Sequence, residues 1–219
     1  AEGWSKQDFL EKASQIGGVY VPSFYKPVYN DDCTINHFDV HPGAPEKVTK
    51  RIIADMNSVH FPLSPIVPST EVVHDRVNLE LFRGCVRGCR FCQAGHVYRP
   101  IRAKSPELLA EQGKVLLKNT GCQDITLLSL SSSDYRCLSE LCDELLGYCE
   151  PRSIGLSLPS LRADNFSMDI MHRIQKTRKS GLTFAPEAGS QRLRDAINKN
   201  VTEEDLLHTC RLAFEGGWN

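Results

Sequence analysis

Arg83-Gly84-Cys85-Val86-Arg87-Gly88-Cys89-Arg90-Phe91-Cys92 decides how the rest of the chain is read. Three cysteines fall at the spacing Cys-x3-Cys-x2-Cys, directly after a short apolar run, Leu79 to Phe82, that reads as a strand. Three thiolates on one tight loop make a soft metal site, most naturally for an iron–sulfur cluster. Three protein ligands leave one metal position open for chemistry. The rival is a non-catalytic protein that uses Cys85, Cys89 and Cys92 for a zinc or iron–sulfur site, with His96 as the fourth ligand of a closed zinc site. Zinc folds usually take two ligand pairs from separated segments, whereas these four residues lie close together in sequence.

Outward from the loop, the pattern becomes regular. Strands are expected at Leu79–Phe82, Asp124–Leu128, Ile154–Leu158 and Leu182–Ala185, each followed by a loop and a helical repeat. Ser105-Pro106-Glu107 is a cap with proline at the first helical position, opening a helix over Leu108 to Leu117. Tyr135 to Tyr148 and Asp164 to Arg178 carry apolar residues at helical spacing. Ser190 caps a helix to Ile197, and Thr202 opens another to Phe214. About four β-α units in succession imply an α/β fold with a parallel sheet, read as a partial (β/α) barrel. No Gly-x-Gly-x-x-Gly follows the first strand, so a dinucleotide-binding sheet has no support. In such a barrel the chemistry gathers at the C-terminal ends of the strands. The cysteine loop, Ser129 to Asp134, Ser157 to Arg162 and Pro186 to Ser190 all fall there.

Residues 1–78 read as a lead-in region before a core over 79–219. Seven of the twelve prolines lie in it, and proline interrupts strand ladders and helices alike. A helix is expected from Ser5 to Gln15. Val19–Pro22 and Phe24–Pro27 read as extended pieces, and Glu46 to Met56 as a strand or, slightly better, a helix. His37, His41, His60 and His74 are dispersed and form no catalytic constellation.

Composition bounds the rest. A net charge of −1 gives no argument for nucleic acid or an anionic membrane surface. No apolar run approaches the roughly 20 residues of a membrane span, and no secretory signal is visible. Of nine cysteines, six are dispersed (Cys33, Cys122, Cys137, Cys142, Cys149, Cys210) and read as small buried hydrophobes in a reducing cytoplasm.

The motif Cys85-x3-Cys89-x-Phe91-Cys92 after the first strand of a β-α series resembles the signature of the radical S-adenosylmethionine (radical SAM) superfamily. Three further stretches, Ser131 to Tyr135, Leu158 to Arg162 and Phe184 to Leu193, are similar to an uncharacterised subgroup normally fused to an N-terminal cobalamin-binding domain. The resemblance implies a radical SAM enzyme of unknown substrate. Cys85, Cys89 and Cys92 would ligate a [4Fe-4S] cluster whose fourth iron binds S-adenosylmethionine, which is reductively cleaved to a 5′-deoxyadenosyl radical. Phe91, Ser131, Ser157 and Glu187 would contact the cofactor, although Ala188 stands where related enzymes carry serine after the glutamate. A one-electron reductant such as flavodoxin or ferredoxin would be a partner. Nucleic acid stays open as a substrate, although no binding module is recognisable. The basic run Arg83, Arg87, Arg90, Arg99, Arg102 and Lys104 reads as compensation for a negative cluster, as an anion site, or as a solvated loop. Related cores commonly have six strands, and the chain begins at Ala1. The expectation is therefore an internal fragment, with cobalamin relevant only to a full-length protein.

Overall fold

The computed structural model describes residues 3–165, 167–178 and 181–218. The chain forms two compact units, Ala1–Ile53 and Ala54–Asn219. Residues 54–78, grouped above with the lead-in, fall within the second unit.

The first unit is built on α1 (Lys6–Ser14) and an antiparallel pair, β1 (Tyr25–Tyr29) and β2 (Ile35–Val40). Ser5 and Asp8 close a reciprocal capping box that fixes where α1 starts. Pro27 lies within β1 opposite Phe38, which a two-stranded ribbon allows because one side of each strand is free of ladder bonds. Val21, Phe24 and Tyr25 form the small core. Residues 46–53 adopt neither the helix nor the strand expected of them. Arg51 instead lies against the turn after α1, where a Cβ on Gly18 would come within 2.9 Å of its Cγ and 3.3 Å of its amide nitrogen.

The second unit holds a three-stranded parallel sheet in the order β3 (Val77–Glu80), β6 (Asp124–Leu128), β7 (Gly155–Ser157). Leu79 pairs with Leu127, and Ile125 with Leu156, so these buried residues line one continuous core. Against it pack α3 (Pro106–Thr120), α4 (Leu138–Cys149) and α5 (Met168–Ile174). Gly113 lets α3 approach closely: a Cβ there would stand 3.1 Å from Leu79, Ile125 and Leu145 methyls. Ser105 caps α3 by accepting from the Leu108 amide. Further along, α6 (Gln191–Ala196) and α7 (Glu203–Glu215) begin at Ser190 and Thr202, as their sequence promised.

Two expectations change. The fourth strand segment, Leu182–Ala185, joins no ladder among the described residues. It alternates half-buried and exposed residues, so its apolar side chains meet only part of a neighbour. The third helix shortens to Met168–Ile174; Phe166, counted in its apolar face, lies outside the described residues. The fold class stands: an α/β partial barrel in which strands one to three form the sheet.

Candidate functional site

The first strand ends in two steps. Glu80 closes the parallel ladder, Leu81 donates to the Leu128 carbonyl, and Phe82–Arg83 (β4) then pair antiparallel with Arg102–Ala103 (β5). The intervening loop, with all three motif cysteines, is therefore an excursion pinched shut at its base. Gly84 makes the pinch possible. It sits at φ 95°, and a Cβ there would lie 2.8 Å from the Tyr98 carbonyl oxygen and 3.0 Å from that of Pro100. Arg102 donates to both of those carbonyls.

Within the excursion, Cys92 begins α2 (Gln93–Val97), and its Sγ accepts from the Gly95 amide at 3.3 Å. Gly95 is buried. A Cβ on it would face Cys92 Sγ at 3.6 Å and Cys85 Cβ at 3.9 Å, so the first and third cysteines share one small cradle over a bare glycine. The Cys92 amide donates to the Cys89 carbonyl, closing the second spacing. All three thiols are free and half-buried. His96 is on α2 but exposed, and among the described residues no three of His, Cys, Asp and Glu converge on a single-ion site. By donor chemistry, three soft thiols on one loop suit an iron–sulfur cluster with one open metal position, while a closed zinc site would need a fourth ligand. Phe91 is 55% exposed, its ring free of the loop's own packing.

The basic run divides between inward-turned and exposed residues. Arg83 pairs with Glu80 at 2.8 Å, and Arg90 donates to the Ala196 carbonyl. Lys104 is buried, donating to Gln112 at 3.0 Å beside the Phe61 ring, and burial depresses its pKa. Arg87 pairs with Asp134 and Asp164. Arg83, Arg87 and Lys104 are therefore engaged rather than solvated, whereas Arg90 and Arg99 are exposed.

Ser131 is buried, and its hydroxyl donates to Asp134 Oδ2 at 2.7 Å, which links it through Asp134 to Arg87 in the cysteine loop. Burial pushes the Asp134 carboxyl up, but hydrogen bonds from Arg87 and Ser131 outweigh it and hold the pKa below its ordinary value. Glu187 stands at φ 68° and accepts from Lys199 Nζ at 3.1 Å; the Lys199 carbonyl in turn accepts from Arg162. Glu187 opens into a cleft of about 460 Å3 beside Arg194 and Leu206. Ser157 hydrogen-bonds Thr126 and lines a separate cleft of about 410 Å3 along the β7 edge, with Pro159 and Thr183. The structure thus brings Cys85 and Cys92 to Gly95, holds Cys89 to Cys92 through the backbone and ties Ser131 to the loop, while Ser157 and Glu187 face separate clefts. Sequence reading placed Asp134 and Arg162 at the same strand ends as the loop without giving them a role there, and missed Asp164 and Asn198. The one available signal was that three of these four charged or amide residues follow strand ends.

The fold and site are those of an α/β partial barrel with a three-thiol loop at the C-terminal edge of its parallel sheet. The chain belongs to the radical SAM superfamily, whose family model matches residues 79–219. It is 39% identical over 142 residues to the uncharacterized protein MJ0966 of Methanocaldococcus jannaschii, covering 64% of this chain and 30% of that protein. It is 26% identical over 153 residues to MJ0865 of the same organism, provisionally described as a methylthiotransferase, covering 64% of this chain and 33% of that one. Among solved structures, it resembles the apo, selenomethionine-labelled cobalamin-dependent S-adenosylmethionine radical enzyme OxsB. The TM-score is 0.55 at 16% identity, over 88% of this chain and 28% of the other. The chain thus spans about a third of the length of the relatives it matches. No helix among the described residues is long and apolar enough to cross a membrane.

Proposed function

We propose that this chain is the radical-generating core of a radical SAM enzyme, with Cys85, Cys89 and Cys92 holding three irons of a [4Fe-4S] cluster. The observation that carries the reading is the pinched excursion after the first strand, where Cys85 and Cys92 flank the Gly95 cradle. When bound, the cluster supplies one electron that splits the sulfonium carbon–sulfur bond of S-adenosylmethionine into methionine and a 5′-deoxyadenosyl radical. The protein's part is to keep three thiolates available, leave one iron without a protein ligand, and orient the nucleoside. Phe91, with its ring exposed one residue before the third thiol, suits an adenine contact. Glu187 and Ser157 suit hydroxyl or amino contacts, each beside an open cleft. Ser131 acts on the loop through Asp134.

A flavodoxin or ferredoxin is the proposed electron donor, in the cytoplasm. Hydrogen abstraction, methyl transfer and methylthio transfer are all compatible with such a core. The fold likeness to the cobalamin-dependent enzyme OxsB makes cobalamin, carried by a further domain, worth assaying in the full-length protein.

Metal analysis after anaerobic reconstitution tests the reading. Near-stoichiometric iron and sulfide, lost in Cys89→Ala, is the expected result. A colourless protein holding one zinc and no iron, whether or not Cys89→Ala releases that zinc, would overturn it.

A further inference from the structure

Three stretches that the sequence offers separately meet in one charged group. Arg87, midway between Cys85 and Cys89, uses Nε and Nη2 on the Asp134 carboxylate and Nη1 on Asp164 Oδ2 at 3.0 Å. Asp164 also accepts from Arg162 Nε at 2.8 Å and Nη2 at 3.0 Å. Arg162 Nη2 continues to the Lys199 carbonyl at 2.8 Å. The loops after β3, β6 and β7 are thereby joined by two arginines and two aspartates. Their side chains are 23%, 11%, 13% and 9% exposed for Arg87, Asp134, Asp164 and Arg162. On the loop's other flank, Asn198 Nδ2 donates to the Gly88 carbonyl at 3.0 Å, and the Arg90 amide donates to Ile197 at 2.9 Å.

We propose that Arg87 is a positioning residue for the thiol loop, clamping Cys85 and Cys89 against the ends of the second and third strands through Asp134 and Asp164. The inference rests on the cluster reading above. Two positive and two negative side chains leave the group neutral, so it brings no net charge to an anionic cluster or substrate. Three of the five Arg87 N–H donors are committed to these two carboxylates. What the group supplies is geometry. A guanidinium fork spans two carboxylates at fixed angles, which a lysine ammonium cannot do. Removing one partner of a largely buried pair leaves the other charge uncompensated, so the loop should loosen sharply rather than gradually.

The test uses the apo-protein and the reconstituted protein side by side. Arg87→Ala should raise alkylation of Cys85 and Cys89 about tenfold by peptide mass spectrometry, while buried Cys142 and Cys149 keep their wild-type rates. Iron retention under a chelator should fall about 10- to 100-fold. Arg87→Lys and Asp164→Asn should fall between Arg87→Ala and wild type. Unchanged loop-cysteine rates and iron retention would overturn the proposal. So would parallel acceleration at all nine cysteines with a lowered urea midpoint, which would make the role global stability. If Arg87→Ala does not fold, Arg87→Lys and Asp164→Asn decide by the same measures, wild-type behaviour in both overturning the clamp. Failure of the wild type to take up iron would overturn the cluster reading alone, since the alkylation pattern still tests the clamp.

Discussion

Two sets of cysteines in one domain show two ways a chain holds its structure. Cys142 and Cys149 on α4 are fully buried among Leu141, Leu145 and Leu146, and burial pushes their thiols up to about 12 and about 11. Cys85, Cys89 and Cys92 are half-buried on a loop that few apolar side chains support. Glycines where backbones or thiols crowd, and ion pairs to neighbouring loops, hold that loop instead. The first set is structural because it is inert and packed; the second is suited to ligation because it is accessible and directed. The same residue type thus takes opposite roles according to what surrounds it.

The largest expected effect separates the two regions. Leu145→Ala removes a fully buried side chain that meets α3 at Gly113 and should cost about 2–5 kcal/mol of stability by urea unfolding. Gly84→Ala should act differently. A Cβ 2.8 Å from a carbonyl oxygen, at φ 95°, opens the β4–β5 pinch. Iron uptake should collapse while the circular dichroism of the core survives. Gly95→Val should also lower iron uptake at nearly wild-type stability, because its methyls would fill the cradle between Cys85 and Cys92. Equal iron uptake by Gly95→Val and wild type would break the comparison.

Alkaline pH sharpens it further. The folded pKa of Cys142 lies above its ordinary value of 9.0, at about 12, because burial disfavours the thiolate. Its contribution to stability is therefore complete below about 9 and is lost as pH rises from there through about 12. Urea midpoints measured across that window should decline, and Cys142→Ala should flatten this part of the decline. The smallest effect belongs to the caps: Thr202→Ala should cost about 0.5–2 kcal/mol through loss of the α7 capping box, leaving iron uptake unchanged.

Much of the frame was legible because it rests on local rules. The caps at Ser105, Ser190 and Thr202 start helices where side-chain oxygens meet free amides, and strands at Asp124 and Ile154 follow from short apolar runs between helices. The Cys-x3-Cys-x2-Cys spacing announced the loop. What stayed hidden depends on partners far away in sequence. Arg87 reads as part of a basic run until Asp134 and Asp164 are folded against it. Leu182–Ala185 has the composition of a strand, but composition cannot supply the neighbour that a ladder needs. Residues 46–56 have helical spacing yet form no helix or strand, and within them Arg51 packs against the distant turn at Gly17-Gly18. Local chemistry was readable where the contact lay within a few residues, and lost where it crossed between loops.

The most direct test is electron spin resonance on the anaerobically reconstituted, reduced protein, with and without S-adenosylmethionine. The account predicts the signal of a reduced [4Fe-4S] cluster that changes shape when S-adenosylmethionine is added. A reduced cluster signal that ignores S-adenosylmethionine, or no cluster signal at all, would contradict it.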